Sequence, residues 1–313
     1  GLAVMNMDGL HTRYEDTAPI YEEIAASPRE EATAIMQRIY SAPQKPELIA
    51  KKIEEVKKGG GIAAVSFVPQ SAKRMGPLAV EAGADMIVVQ GTVVTARHSS
   101  KSLKGLVFSD MIKDIDVPVL VGNTVSYEVT KELMQQGIAG VMVGVGPGSV
   151  CTSREVLGIG IPQVSATIEC AAARDDYFKE TGKYIPIITD GGIRTGGDVC
   201  KSFAAGANAV MIGSPFAKTE EAPAKGFHWG MAAWHDSLPR GTRINMGTEY
   251  SLHQLLYGPS SRTDGTLNLV GALQICMGYV GAETIREMNK ARMVYAPAIK
   301  TEGKIYQQAG LGS

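Results

Sequence analysis

Three segments of the chain repeat one short pattern, in which a helix ends at a glycine and a buried strand follows. The segments are 82–90, 136–144 and 205–213, and in each a glycine is followed shortly by a run of Val, Ile or Met. A glycine just past a helix takes the left-handed conformation, and a continuous apolar run is typical of a strand covered on both faces. The repeated pattern therefore predicts an α/β protein with a parallel sheet.

Four further apolar segments raise the number of predicted strands to seven; they are 2–6, 62–67, 117–121 and 185–189. A TIM (β/α)8 barrel needs eight strands, and the chain begins at Gly1 directly before an apolar segment. We therefore favour a TIM barrel whose first strand is missing from the chain. An open doubly wound sheet is the alternative, since the helix-to-strand repeats fit both architectures.

Size and charge limit the function classes. The 313 residues suit a single catalytic barrel domain over 1–313, with a C-terminal segment of about 218–313 folding over the mouth and exterior. A net charge of −1 gives no electrostatic case for nucleic acid or an anionic membrane. No run of 18 apolar residues occurs, and the four cysteines lack paired spacing. These features predict a cytoplasmic protein with free thiols.

The segment 144–154, Gly-Val-Gly-Pro-Gly-Ser-Val-Cys-Thr-Ser-Arg, follows a predicted strand. Its closely spaced glycines allow the backbone to approach a ligand. The segment also presents a single thiol, Cys151, among the hydroxyls of Ser149, Thr152 and Ser153. A thiolate needs donors and a group that manages protons, and Thr152 and Ser153 are candidates for that role. The pattern indicates covalent chemistry on a bound, phosphorylated substrate.

Two more glycine clusters follow the last two predicted strands. They are Asp190-Gly191-Gly192 and Gly213-Ser214. In (β/α)8 enzymes the loops in these positions commonly bind phosphate through backbone amides, and Ser149 adds a further donor. Asp190 suits a ribose hydroxyl better than the phosphate. Tight turns alone are the alternative explanation for each glycine pair.

Four motifs together closely resemble the IMP dehydrogenase/GMP reductase family; they are 144–154, 158–163, 190–193 and 209–214. The resemblance implies an oxidoreductase whose Cys151 attacks C2 of a purine nucleotide, GMP or IMP. It implies that the ribose and 5′-phosphate are held by Ser149, Asp190, Gly191, Gly192, Gly213 and Ser214. Met246 and Gly247 are expected along the purine, and Asn123 beside the reacting base.

The resemblance also implies a nicotinamide cofactor, NADPH or NAD, near Gly144, Val145 and Gly146. Gln90 stands where family dehydrogenases have an aspartate for the cofactor ribose, so that contact is expected to differ. The carbonyls of Gly146, Gly148 and Cys151 match a potassium site of the family. Arg97, His98 and Lys101 are candidates for a cofactor 2′-phosphate, although a solvated helix start is the favoured explanation for them. Family barrels assemble as homotetramers or homo-octamers, which we expect here.

Departures from the family pattern bear on the direction of the reaction. Residues 27–60 leave no room for the CBS domains of the usual dehydrogenase, and 257–269 is short where the dehydrogenase has a mobile Arg-Tyr flap that activates water. Arg262 is the only arginine of that segment. A reductase needs no such flap, which favours NADPH-dependent reductive deamination of GMP to IMP. IMP dehydrogenation with NAD is the alternative, and a nucleotide-binding regulator without turnover is a third.

Overall fold

The computed structural model describes residues 1–94, 107–230 and 243–294. In these ranges, seven parallel strands form one sheet whose order follows the chain. The strands are β1 (Val4–Asn6), β2 (Ala64–Phe67), β3 (Met86–Gln90), β4 (Val119–Thr124), β5 (Gly140–Val143), β6 (Ile187–Asp190) and β7 (Ala209–Met211). A doubly wound sheet reverses its strand order at a switch point. The unreversed order shows that this alternative was wrong.

The sheet curls around an interior cluster of side chains. Val88, Met142 and Ile188, from β3, β5 and β6, are buried together, and Val4 of β1 and Met211 of β7 pack against them. In a flat sheet with neighbouring strands about 4.8 Å apart, β1 and β7 would be about 29 Å apart. Their contact with one cluster therefore requires a half-barrel, which confirms the predicted barrel architecture. The strand expected ahead of Gly1 stays a prediction.

Helices follow the strands and cover the outer face of the sheet. The helices are α1 (Ala18–Ala26), α2 (Ala32–Tyr40), α3 (Pro46–Lys58), α4 (Pro69–Glu81), α5 (Phe108–Lys113), α6 (Tyr127–Gln135), α7 (Ser153–Leu157), α8 (Gln163–Thr181), α9 (Gly196–Ala204), α10 (Ser214–Ala217), α11 (Leu252–Tyr257), α12 (Leu269–Val280) and α13 (Ile285–Met288). Gly83, Gly137 and Gly206 each lie just after a helix with φ of 98°, 88° and 106°, as the repeated pattern predicts. Buried apolar side chains of α3, α4, α5, α6 and α8 pack against side chains of the strands in one cluster on this outer face.

The chain after β7 forms a second, smaller group of elements. A two-stranded antiparallel hairpin, β8 (Phe227–His228) and β9 (Ile244–Asn245), follows α10. Helices α11 to α13 pack against α9 around a separate apolar cluster that includes Phe203 and Leu255. The described part of the predicted segment 218–313 therefore lies partly on the exterior of the barrel. Residues 231–242 and 295–313, and the candidates Arg97, His98 and Lys101, lie outside the described residues.

Two further sequence expectations concern what the fold contains. Residues 27–60 form α2 and α3 with their connections. Within the described ranges, none of the helices combines the length and apolar character that crossing a bilayer requires.

The interior cluster provides a test of the barrel. Met142→Ala removes a fully buried side chain at the centre of the cluster, and we expect it to lower the free energy of unfolding by about 2–5 kcal/mol. The same substitution at Met293, which is 38% exposed, is the matched control and should change it by less than about 0.5 kcal/mol. Chemical denaturation of both variants measures the difference. Equal losses at the two positions would contradict an interior position for Met142.

Candidate active site

The carboxyl ends of three strands converge on one buried carboxylate. Asp190, the last residue of β6, accepts a hydrogen bond from Nε2 of Gln90 at 2.5 Å and one from Nδ2 of Asn123 at 2.9 Å. Gln90 ends β3, and β4 and β5 lie between it and β6 in the sheet. Side chains of strands that far apart meet only because the sheet is curled. The predicted residues Gln90, Asn123 and Asp190 therefore form one cluster.

Burial is the main influence on the protonation of the carboxyl group in this cluster. Desolvation raises the pKa of the Asp190 carboxyl, and the hydrogen bonds from Asn123 and Gln90 act in the opposite direction. Asn123 is itself buried, and its Oδ1 atom has no hydrogen-bond partner among the described residues. The cluster thus holds a carboxylate between two amides and one unused amide oxygen, groups that suit the hydroxyls of a sugar.

The glycine loop after β5 is fixed by two long side chains that the sequence analysis did not single out. Nε2 of Gln163 donates to the carbonyl of Val143 at 2.7 Å and to the carbonyl of Asp190 at 3.2 Å. A Cβ atom at Gly144 would lie 2.2 Å from that Asp190 oxygen. A Cβ atom at Gly146 would lie 2.5 Å from Cγ of Arg154. These close approaches explain why glycine occupies both positions.

Cys151 lies in this loop, immediately before α7. Its side chain is half-buried, and its thiol donates to Oγ of Ser153 at 3.2 Å. Its amide donates to the carbonyl of Gly148 at 3.1 Å. Ser153 is buried as the first residue of α7, and Thr152 precedes it as the N-cap residue. The pairing of the thiol with Ser153 places a hydroxyl where it can exchange a proton with the sulfur.

A cavity of about 520 Å³ opens beside this loop. It is lined by residues of the loops after β5, β6 and β7, including Gly148, Ser149, Asp190, Gly191, Gly192, Gly213 and Ser214. Cys151 is not itself among the lining residues, whereas its neighbours Ser149 and Val150 are. Six of the predicted substrate-binding residues therefore share one cavity, next to the predicted nucleophile.

The cavity presents several unused hydrogen-bond donors. The amides of Ser149, Gly192 and Gly213 have no acceptor in the part of the chain that the structure describes. Oγ of Ser214 donates to Oγ of Ser149 at 3.1 Å, which brings two hydroxyls to the same place. Free amides and hydroxyls around a cavity are the arrangement that binds a phosphate group.

His228 also lines the cavity, and no pattern in the sequence predicted it. Nδ1 of His228 lies 3.3 Å from Oγ of Ser214, and burial lowers the pKa of the imidazole. The histidine is carried by the β8–β9 hairpin, two strands of two residues each. Strands this short have no recognisable hydrophobic pattern, so only the fold brings His228 to the site.

The remaining predicted residues are less well placed for the roles that the resemblance implies. Met246 and Gly247 follow β9, and the Met246 amide donates to the Gly226 carbonyl at 2.8 Å; neither residue lines the cavity. Gly144 and Val145 are buried. The carbonyl of Gly148, one of three expected potassium ligands, already accepts from the Cys151 amide. The described residues contain no cluster of three His, Cys, Asp or Glu side chains able to hold a metal.

Known proteins resemble this chain in sequence and in fold. The model of the IMP dehydrogenase/GMP reductase domain matches residues 29–236. A crystal structure of an IMP dehydrogenase/GMP reductase-like protein from Corynebacterium glutamicum superposes with a TM-score of 0.87 at 34% identity, over 95% of this chain and 79% of that one. An uncharacterized oxidoreductase of Mycolicibacterium smegmatis is 39% identical over 93% of this chain and 80% of its own length.

Similarity extends to a relative with a named activity. The inosine-5′-monophosphate dehydrogenase of Aquifex aeolicus is 39% identical over 74% of this chain, which spans about half (49%) of that enzyme's length. The region that the family model matches, residues 29–236, includes the Cys151 loop and both glycine clusters that line the cavity. The chain therefore belongs to the IMP dehydrogenase/GMP reductase family of oxidoreductases.

Proposed function

We propose that the protein is a nicotinamide-dependent oxidoreductase that acts on C2 of a purine 5′-monophosphate through Cys151. One observation carries the proposal: the amides of Ser149, Gly192 and Gly213, which have no acceptor among the described residues, surround a cavity next to the Cys151–Ser153 pair. These amides suit the phosphate, and the Asp190 cluster suits the ribose. With the tail of the nucleotide held in this way, the base would extend toward the thiol.

In this proposal, each group of residues has a separate task. Sγ of Cys151 forms a bond to C2, and the thiol proton passes to a ring nitrogen of the base, relayed by the hydroxyl of Ser153, which lies 3.2 Å from the sulfur. A nicotinamide held near Gly146 would supply or accept the hydride at C2. Of the residues expected at the nicotinamide, Gly144 and Val145 are buried, which leaves Gly146 for that position. Gln90, expected at the cofactor ribose, donates its amide to Asp190 instead.

The loop after α11 supports the reductive direction, in which NADPH reduces GMP to IMP. The carbonyl of Gly265 accepts a hydrogen bond from the amide of Gly196 at 2.9 Å, which holds the loop against α9. Arg262 forms an ion pair with Glu249 and lies over the ring of Tyr250. Since its arginine is engaged there, the loop offers none to activate water. In the reductive direction the exocyclic C2–N bond of GMP breaks as ammonia leaves, a hydride then adds to C2, and the bond between C2 and Sγ of Cys151 breaks to release IMP.

IMP dehydrogenation with NAD is the second candidate. The specific observation in its favour is the 39% identity to the dehydrogenase of Aquifex aeolicus. The GMP reductase of Trypanosoma brucei, solved with guanosine 5′-triphosphate, superposes with a TM-score of 0.53 at 29% identity over 74% of this chain and 46% of that one, so the similar proteins include both activities. We further propose a potassium ion at the carbonyls of Gly146, Gly148 and Cys151, a homotetramer or homo-octamer, and a cytoplasmic location.

One pair of assays tests the direction. We expect NADPH oxidation when GMP is added, with release of IMP and ammonia, and no XMP from IMP with NAD. XMP formation would replace the first candidate by the second. Nucleotide binding without turnover in either assay would leave a nucleotide-binding regulator and contradict both enzymatic candidates.

Replacement of the thiol tests the nucleophile. Cys151→Ala should abolish turnover, since no other group takes over the bond to C2, while calorimetry should still detect nucleotide binding by the loop amides. Cys276→Ala is the matched control because Cys276 packs in the separate apolar cluster around α9. Its activity should match that of the unmodified protein. Residual turnover in Cys151→Ala would contradict covalent catalysis.

The buried carboxylate predicts opposite effects on stability and binding. Burial raises the pKa of Asp190, so its contribution to stability is present below the unfolded-state pKa and is lost as pH rises through the folded-state pKa. Asp190→Asn does not titrate, and its amide can donate to the free Oδ1 of Asn123. We therefore expect the variant to be at least as stable as the unmodified protein at neutral pH.

Nucleotide binding by Asp190→Asn should weaken about tenfold or more, because a charge-assisted hydrogen bond to the ribose is lost. Scanning calorimetry across pH measures the stability difference, and titration calorimetry measures the affinity. Gln136→Asn, at the half-buried C-cap position of α6, is the control variant in both measurements. A less stable Asp190→Asn with unchanged affinity would show that the carboxylate is structural.

A further inference from the structure

His228 contacts the pair of hydroxyls in the phosphate cavity. Its Nδ1 atom is 3.3 Å from Oγ of Ser214, which is 3.1 Å from Oγ of Ser149. The other side of the ring faces Gly213, where a Cβ atom would lie 3.9 Å from both Nε2 and Cε1. The imidazole therefore extends from the Ser214 hydroxyl along the Gly213 backbone, whose amide has no acceptor among the described residues.

The neighbours of His228 hold the ring in this position. Phe227 lies beneath the guanidinium of Arg243, which is 4.8 Å from the ring centroid and donates to the carbonyl of Ser27 at 2.9 Å. On the other side, Nε1 of Trp229 donates to the hydroxyl of Tyr40 at 2.9 Å. Both flanking residues are thus attached to the N-terminal helices, and the imidazole is not a free surface side chain.

The charged groups around the cavity are engaged elsewhere. Arg154 donates to the carbonyl of Ile161, Asp190 is held by two amides, and Arg194 is 77% exposed and pairs with Asp198. Helix α10 carries no charged side chain, and Lys218, which follows it, pairs with Glu249. Arg243 donates to the carbonyl of Ser27. Burial alone lowers the pKa of His228. In the described chain, His228 is the titratable side chain that contacts the hydroxyl pair.

A bound phosphate changes the hydrogen bonds available to these groups. When Ser149 and Ser214 turn their hydroxyl protons toward a phosphate, the Ser214 oxygen becomes an acceptor for Nδ1–H of His228. A neutral imidazole then has a bare Nε2, whereas an imidazolium has a second N–H. A phosphate dianion close by stabilises the charged form and offsets the desolvation that keeps the empty site neutral.

We propose that His228 takes up one proton from solvent when the nucleotide 5′-phosphate binds, and that the imidazolium donates from Nδ1 to Ser214 and from Nε2 to a phosphate oxygen. This inference rests on the proposed function, because it assumes a purine 5′-monophosphate in the cavity. It makes His228 a residue that selects the phosphorylated form of the ligand and makes affinity depend on pH. The proposed step is a proton transfer from water to the imidazole, and no other covalent bond is made or broken.

Titration calorimetry tests the proposal without turnover. GMP is titrated into the protein at about pH 8, above the ordinary histidine pKa of about 6.5, in two buffers with different ionisation enthalpies. The difference between the two heats gives the number of protons taken up. We expect net proton uptake with the unmodified protein, its loss in His228→Asn, and affinity for GMP about tenfold lower in the variant.

Three controls separate the possible outcomes. Guanosine, which has no phosphate, should show no proton uptake that depends on His228. His253→Asn, a histidine that contacts the Gly258 carbonyl, should behave like the unmodified protein. His228→Gln, with circular dichroism of each variant, guards against misfolding of His228→Asn. Equal proton uptake by His228→Gln and the unmodified protein would overturn the inference alone; failure of the unmodified protein to bind GMP or IMP would overturn the proposed function as well.

Discussion

The contact between Gln90 and Asp190 depends on the curl of the sheet, and the site depends on that contact. These residues end β3 and β6, which in a flat sheet with strands about 4.8 Å apart would be separated by about 14 Å. In this protein their side chains are 2.5 Å apart. The interior cluster of Val88, Met142 and Ile188 fills the space that the curl encloses. Packing of apolar side chains in the interior thus determines the position of the polar groups at the strand ends.

Burying the Asp190 carboxylate costs desolvation free energy, and the groups that offset this cost by hydrogen bonding are amides rather than cations. Desolvation disfavours the charged form of Asp190, and the donors are the neutral side chains of Gln90 and Asn123. Neutral donors leave the carboxylate charge uncompensated, so the carboxylate remains a strong acceptor for further hydrogen bonds. A cationic partner would have neutralised it. The choice of amides therefore fits a role in holding hydroxyls better than a role in structural ion pairing.

The sequence predicted the elements that local pattern determines. Seven apolar runs became seven strands, and the glycines after helices, such as Gly83, have the expected left-handed conformation. The loops after β5, β6 and β7 share one cavity because the carboxyl ends of parallel strands lie at one edge of the sheet. Ser149, Asp190 and Ser214 could therefore be placed together from sequence order alone.

Residues whose position depends on long-range packing could not be found in this way. Gln163 begins α8 and reaches back to carbonyls of β5 and β6, and Arg154 fills the space beside Gly146. Gln90 was expected to contact a cofactor, but its amide is directed to Asp190, a contact across 100 residues of sequence. His228 belongs to a hairpin too short for a hydrophobic pattern. Each position follows from tertiary contacts, which no local spacing encodes.

The hairpin that carries His228 also joins the two outer edges of the sheet. β1 and β7 are the end strands of the described sheet and are not paired with each other. Trp229 follows β8, and its indole donates a hydrogen bond to the hydroxyl of Tyr40, which lies between β1 and β2 in the chain. Arg243, just before β9, donates to the carbonyl of Ser27 in the same connection between β1 and β2. These hydrogen bonds connect the hairpin to the N-terminal helices across the open side of the half-barrel. A ligand bound by His228 would stabilise the hairpin and with it these contacts, so occupancy of the cavity should protect the N-terminal helices from local unfolding.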